Sequence, residues 1–384
     1  MSSKYTQNVP VIFGEGAIRE LGDKVKELGC SKVMCVYDSG VKAAGVNQRA
    51  EDSLKAAGID YLVFDKITTE PFASLVNECG AMAKEAGVDC FVAIGGGSSM
   101  DLTKAASILV DYPGPIEQYF KAPPLFLKSS PKIILVPTTS GTGSEVTQVG
   151  IISLDGMKPA IFTDTTLAIL DPELTYTCPP SVTMNTGFDA FTHASEALTS
   201  NGSNPRSDVL AMAAISKIRK YVAKAVADGT DKEARREMAL ASNFAGIAFA
   251  DTSCHIGHNL ADGLSTEFHS PHGWNCIVVN AEVIRKCAPL VPEKVKRVGE
   301  AMGLTFDGTE TPEQIGDMVA EEIYVMMREA GFKGPQEYGM DRDRFISSTR
   351  HMLDINPVLR DACPYEQTKE VCDELYAKSW DAWA

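Results

Sequence analysis

The sequence predicts an α/β domain built on a parallel sheet, followed by an all-helical domain. Three observations lead there. The first half alternates short apolar runs with amphipathic stretches, the second half carries long helical patterns without strand signals, and Cys178-Pro179-Pro180 separates the two. Strands covered by helices on both faces read as apolar runs rather than alternations. A Pro-Pro pair ends one element and starts the next. We therefore expect domains at 1–178 and 179–384, two cores for a chain of 384 residues.

In order along the first half, 32–37 reads as a strand, 41–57 as helical, 61–64 as a strand and 75–86 as helical. A strand at 90–94, a helix over 99–110 and a buried strand at 132–136 follow. Gly29, Gly58 and Gly87 each stand between a helical stretch and the next strand, the place of a left-handed helix C-cap. Beyond the boundary, helical patterns cover 188–198, 209–227, 232–249, 292–302, 311–330 and 368–380.

Composition excludes several classes. With 44% hydrophobic and 23% charged residues the chain is not a disordered one. A net charge of -15 repels phosphate backbones and anionic lipid, so neither nucleic acid nor a membrane is an expected partner. The first twenty residues carry no apolar or Arg-rich targeting pattern, and no apolar run is long enough to span a bilayer. Ten cysteines without a CxxC pair read as reduced thiols in the cytoplasm.

Two glycine-rich loops follow predicted strands. Gly95-Gly96-Gly97-Ser98-Ser99 opens a helix, where free N–H groups attract anionic phosphate and glycines let the ligand come close. Pro137 to Glu145 offers five hydroxyls and two glycines in nine residues. Each alone could be a ligand-free turn. Both at the C-terminal ends of parallel strands favour a dinucleotide. Asp38, at the end of the first strand, either starts a turn or accepts ribose hydroxyls; a carboxylate there repels a 2′-phosphate and favours NAD over NADP.

Of six histidines, His193, His255, His258, His269 and His272 cluster in sequence. Asp189 and His193 are four apart in a helical stretch and share a face. His255 and His258 lie in another such stretch, and His272 in a Pro-His-Gly turn. A carboxylate with imidazoles from two helices and a loop can hold a divalent ion and leave a position open; mixed N/O donors suit Fe²⁺ or Zn²⁺ and not Ca²⁺. His351 stands alone in a helical region and reads as an ordinary residue.

Five motifs in this order and spacing then resemble the iron-containing (group III) alcohol dehydrogenases: Gly95-Gly96-Gly97-Ser98-x-x-Asp101-x-x-Lys104, Pro137 to Glu145, Asp171-Pro172-Glu173-Leu174, Gly187-x-Asp189-Ala190-x-x-His193 and Pro271-His272-Gly273. The resemblance runs from about residue 8 to the C-terminus. It implies a dehydroquinate synthase-like fold with an NAD(P)-binding α/β domain, a helical domain and a catalytic metal in the cleft between them. It places the ligands at Asp189, His193, His258 and His272. His258 is taken rather than His255 because the family's last two ligands are fourteen residues apart. The pyrophosphate loop falls on Gly95, Gly96, Gly97 and Ser98, further cofactor contacts on Thr138, Thr139, Thr142 and Lys158, and the ribose contact on Asp38.

The implied activity is hydride transfer between NAD(H) and a small primary alcohol or aldehyde, a short acidic or sulfonated aldehyde included, by a homo-oligomer. One departure concerns the proton path. Where many members carry a second histidine four residues after the third ligand, this chain has Asp262. The expected relay is Asp262, His255 or His269. Glycerol dehydrogenase-like polyol oxidation on the same fold is the alternative enzyme, and a non-catalytic metal- or nucleotide-binding protein the alternative from another class.

Overall fold

A computed structural model describes residues 5, 9–68, 70–121, 125–351 and 357–384. Residues 1–4 and 6–8, at the start of the segment read as free of a targeting signal, lie outside it. The described residues divide into two compact units, one lying within Gln7–Cys178 and the other within Pro179–Ala384 together with Tyr5.

The first unit holds eight described strands: β1 (Val11–Phe13), β2 (Lys32–Asp38), β3 (Asp60–Ile67), β4 (Cys90–Gly95), β5 (Lys132–Pro137), β6 (Val149–Ile151), β7 (Ala160–Phe162) and β8 (Leu167–Leu170). Its helices are α1 (Leu21–Glu27), α2 (Ser39–Ala43), α3 (Asn47–Ala56), α4 (Ala73–Ala86) and α5 (Gly97–Asp111). Six strands form one sheet, ordered β1-β8-β5-β4-β2-β3. Every pairing in it is parallel. β6 and β7 make a separate antiparallel ribbon.

Side chains alternate across a strand, so β2 feeds two cores. Val33, Cys35 and Tyr37 pack with Leu21 and Val25 of α1 and Leu54 of α3. Met34 and Val36 pack on the other face with Val76 and Cys79 of α4 and Leu102 and Ala106 of α5. This is why the strand is apolar throughout rather than every second residue.

The structure corrects several expected boundaries. The single helix over 41–57 is two, because Gly45 takes a left-handed φ of 69° between α2 and α3. β3 is longer than 61–64. β1, β8 and the β6–β7 ribbon carried no expectation; at three or four residues each, they are too short to show a period. Gly29, Gly58 and Gly87 do adopt positive φ after α1, α3 and α4.

Lys104 of α5 is a fully buried ammonium. Its Nζ donates to Ser144 O (2.7 Å), Ser144 Oγ (2.8 Å) and Val149 O (2.7 Å). Burial, opposed by Asp101 and Glu145, brings its pKa down to about 8. Asp101 completes the clasp, accepting from Ser144 Oγ (2.7 Å) and Ile151 N (3.1 Å). The Asp101-x-x-Lys104 spacing thus anchors the hydroxyl-rich loop to α5. Lys104→Met fills the volume but strands three buried acceptors, and we expect a loss of about 3 kcal/mol, read from the denaturant midpoint. Unchanged stability would refute the clasp. Asp171 is structural too: it accepts from Gly16 N (3.0 Å), Ile18 N (3.2 Å) and Glu173 N (3.0 Å), tying the end of β8 to the chain near β1.

The second unit is helical: α6 (Pro180–Thr199), α7 (Pro205–Ala227), α8 (Lys232–Thr252), α9 (Ile256–Phe268), α10 (His272–Cys287), α11 (Pro292–Met302), α12 (Pro312–Glu329), α13 (Arg342–Ser347), α14 (Pro357–Ala362) and α15 (Lys369–Asp381). Phe188, Phe191, Ile215, Met238, Ile277 and Ile323 belong to one continuous core. Asn204 and Thr311 open α7 and α12 with reciprocal capping boxes, each followed by proline at the first helical position. No described helix is long and apolar enough to cross a membrane.

Candidate active site

α6 presents Asp189, His193 and Glu196 at positions i, i+4 and i+7, one face of the helix. α9 presents His258, and α10 begins with His272 itself, so the expected turn at this residue is the first residue of a helix. Their tips converge. Asp189 Oδ1 lies 3.8 Å from His193 Nε2, 3.7 Å from His258 Nε2 and 3.7 Å from His272 Nε2. Donors bound about 2.1 Å from one ion sit at comparable separations.

Two buried donors in the cluster, Asp189 Oδ1 and His258 Nε2, have no hydrogen-bond partner. Such orphans are costly unless something binds them. The donor set therefore fits a divalent cation. Burial raises the Asp189 pKa, but His193, His258 and His272 outweigh it and hold the carboxylate well below its usual range. Burial brings His193 down to about 4. The Cys276 sulfur, with Asp189, pushes His272 up to about 9.

His193 stacks between Phe249 (centroids 4.3 Å) and His258 (4.5 Å), which fixes its ring. Gly273 lets α10 meet α6: a Cβ there would stand 1.9 Å from Asn185 O and 3.1 Å from Asp189 Cβ. This contact explains the glycine of the Pro-His-Gly motif. His269 ends α9 at a φ of 53°, turning the chain back toward α10.

Glu196 was not anticipated. It is fully buried and accepts from His255 N (2.9 Å), Gly257 N (2.6 Å) and His258 Nδ1 (2.7 Å). A carboxylate can only accept, so Nδ1 carries a proton and Nε2 is the ring nitrogen turned toward Asp189. Burial opposes the Glu196 charge, yet His255 and His258 bring its pKa down to about 2. The i+7 spacing from Asp189 was the available signal.

Two cysteines, which carried no expectation at this site, also border the cluster. Cys276 Sγ lies 3.5 Å from His272 Nε2, and Cys254 groups with His193 and His258.

The three expected relay residues are scattered. His255 is fully buried at the N-cap of α9, its Nε2 2.8 Å from Thr199 Oγ1 and its Nδ1 3.5 Å from Glu196. It stands in the layer behind His258, without access to solvent. Asp262 is half-buried one turn after His258, and His269 is exposed. His351 pairs with Glu267 at 3.2 Å, an ordinary surface role.

In the α/β unit the two glycine-rich loops face each other. Thr138 N donates to Gly95 O (3.0 Å). A Cβ on Gly96 would come within 3.3 Å of Thr139 Oγ1, and one on Gly97 within 2.9 Å of Thr142 Cγ2. A Cβ on Gly95 would meet Ser99 Oγ at 2.4 Å and Asp38 Oδ2 at 3.3 Å. These glycines bring Gly95, Gly96, Gly97, Thr138, Thr139, Thr142 and Asp38 together at the C-terminal edge of β2, β4 and β5. Ser98 lies in the first turn of α5, whose N-terminus has no side-chain cap.

Asp38 has the structural role weighed for it, capping α2 through Gly40 N (2.8 Å) and Val41 N (2.9 Å). Its Oδ2 lies 3.4 Å from Ser99 Oγ. Lys158 Nζ bonds Glu70 (2.6 Å) and Ser153 (2.9 Å), so its charge is already paired.

Comparison with known proteins shows the family. Residues 8–172 match the family model for iron-containing alcohol dehydrogenase, and 183–380 that for the family's C-terminal region. Sulfoacetaldehyde reductase of Bilophila wadsworthia is 38% identical over 68% of this chain and 69% of its own. Choline dehydrogenase of Bacillus subtilis is 33% identical over 89% of this chain and 92% of its own. The crystal structure of sulfoacetaldehyde reductase from Bifidobacterium kashiwanohense in complex with NAD+ superposes with a TM-score of 0.88 at 28% identity, covering 99% of both chains. The chain belongs to the iron-containing alcohol dehydrogenase family, an enzyme family of alcohol and aldehyde oxidoreductases.

Proposed function

We propose that this enzyme transfers hydride between NAD(H) and short primary alcohols or their aldehydes, with a divalent metal held by Asp189, His193, His258 and His272. The observation that carries the reading is one buried carboxylate oxygen with three imidazole Nε2 atoms 3.7–3.8 Å away. Fe²⁺ comes first and Zn²⁺ second for such donors. Bound there, the ion supplies Lewis acidity that lets an alcohol hydroxyl ionise near neutral pH.

The chain's own groups do the positioning. The N-terminus of α5 and Gly95 to Ser98 offer N–H groups to a pyrophosphate. Thr138, Thr139 and Thr142 add hydroxyls, and Asp38 Oδ2 would accept from ribose and repel a 2′-phosphate. Lys158 remains a cofactor neighbour, its ammonium steadied by Glu70. Glu196 holds the His258 ring. Asp262, half-buried and one turn past His258, is the group we assign to carry the proton toward water, with the exposed His269 second; His255 supports His258 instead.

Two sulfoacetaldehyde reductases among the relatives make a two-carbon sulfonated aldehyde the first substrate to try. All ten cysteines are free and nine are buried, which fits a reducing compartment, and we read the enzyme as a cytoplasmic homo-oligomer.

The test is NADH oxidation by protein loaded anaerobically with Fe²⁺, against sulfoacetaldehyde and unsubstituted short aldehydes. We expect turnover that chelation abolishes and added metal restores. No turnover with any of these aldehydes, or turnover indifferent to chelation, would overturn the reading. Glu196→Gln should keep the fold but weaken metal binding about 10- to 100-fold, measured by competition with a chromophoric chelator. Wild-type affinity would show that the carboxylate does not act on the ligand.

A further inference from the structure

Cys276 is fully buried and follows His272 by four residues on α10, so the two side chains share a face. Its Sγ lies 3.5 Å from His272 Nε2. The ligand atoms of Asp189, His258, His272 and Cys276 all fall within 4.8 Å of one another, a four-donor set that includes Cys276 and not His193. Bond lengths of about 2.1 Å to nitrogen and 2.3 Å to sulfur put the two donors of a tetrahedral ion about 3.6 Å apart. The observed sulfur-to-nitrogen separation matches. Asp189 and His258, 3% and 8% exposed, aim unpartnered atoms into the same cluster.

We propose that Cys276 is a further donor at this centre, one that takes the place of His193 when a thiophilic divalent cation such as Zn²⁺ or Co²⁺ binds, in an N₂OS set of Asp189, His258, His272 and Cys276. The inference rests on the metal-site reading above and adds a sulfur donor to it. A thiolate favours these ions over hard cations such as Mg²⁺, which prefer oxygen. Cys254, 5% exposed, groups instead with His193 and His258, a three-donor set without a carboxylate. It serves as the internal control.

The experiment is absorption spectroscopy of the full chain loaded with Co²⁺ under reducing, anaerobic conditions. Visible d–d bands report bound cobalt; near-ultraviolet thiolate-to-cobalt charge transfer reports a sulfur ligand. We expect both in the wild type. Cys276→Ser should keep the visible bands and lose the charge transfer, while Cys254→Ser keeps both. Zn²⁺ affinity should fall about tenfold or more in Cys276→Ser, with Mn²⁺ affinity little changed. Visible bands without charge transfer in the wild type, or charge transfer surviving in Cys276→Ser, would overturn the sulfur ligand and leave the metal site standing. Absence of any bound cobalt would overturn both.

Discussion

His272→Ala should reduce turnover at least about a thousandfold while leaving the fold intact. The side chain is 49% exposed, so little packing is lost with it. What goes is one of the three imidazoles around Asp189 Oδ1. A Lewis acid contributes several kcal/mol to stabilising developing charge, and losing about 4 kcal/mol of it is a factor of a thousand in rate. The measurement pairs kcat with metal content and circular dichroism. A folded variant with reduced metal and negligible kcat is expected. Wild-type kcat would remove His272 from the site.

Gly273→Ala is the second large effect, and it acts on both stability and activity. The new Cβ would lie 1.9 Å from Asn185 O and 2.7 Å from Asn185 C, so backbone must move. α10 is pushed off α6, at a typical overpacking cost of about 1–3 kcal/mol and more where the neighbour cannot yield. Asn185 lies inside α6 and cannot yield cheaply. His272 and Cys276 ride on α10, so their donors shift away from Asp189. Displacements near 1 Å can cost about a hundredfold in rate. We expect a lower denaturant midpoint, weaker metal retention and a loss of about a hundredfold or more in kcat. Full stability together with full activity would mean the α6–α10 contact is not what holds His272.

Much of this was readable from residues alone, for identifiable reasons. β2, β4 and β5 are buried on both faces, so their apolar runs stand out from the flanking helices. α11 is bounded by Pro292 and Gly303, the latter at a φ of 100°, and its limits follow from them. The i, i+4 pair Asp189 and His193 needs only a helix to share a face.

What was not readable depends on tertiary contact. Glu196 touches His258 across 62 residues, a hydrogen bond that no local pattern encodes. Cys276 joins His272 only because α10 starts at His272; with that residue read as a turn, the i+4 relation had no phase. His255 sits three residues before His258 in sequence, yet as the N-cap of α9 it leaves the helical face and enters the layer behind. Asp38 had two readings of nearly equal strength, the ribose contact first, and its cap on α2 became visible only with the bonds to Gly40 and Val41.

The central claim is that a single cation sits among Asp189, His193, His258 and His272 and that turnover depends on it. Anomalous diffraction at the iron or zinc edge, on crystals of protein whose activity has been assayed, tests it most directly. The account predicts one site per chain, with Asp189 Oδ1 and imidazole Nε2 atoms at about 2.0–2.2 Å from the peak. A peak elsewhere in an active enzyme, or full activity in protein with no peak at all, would contradict it.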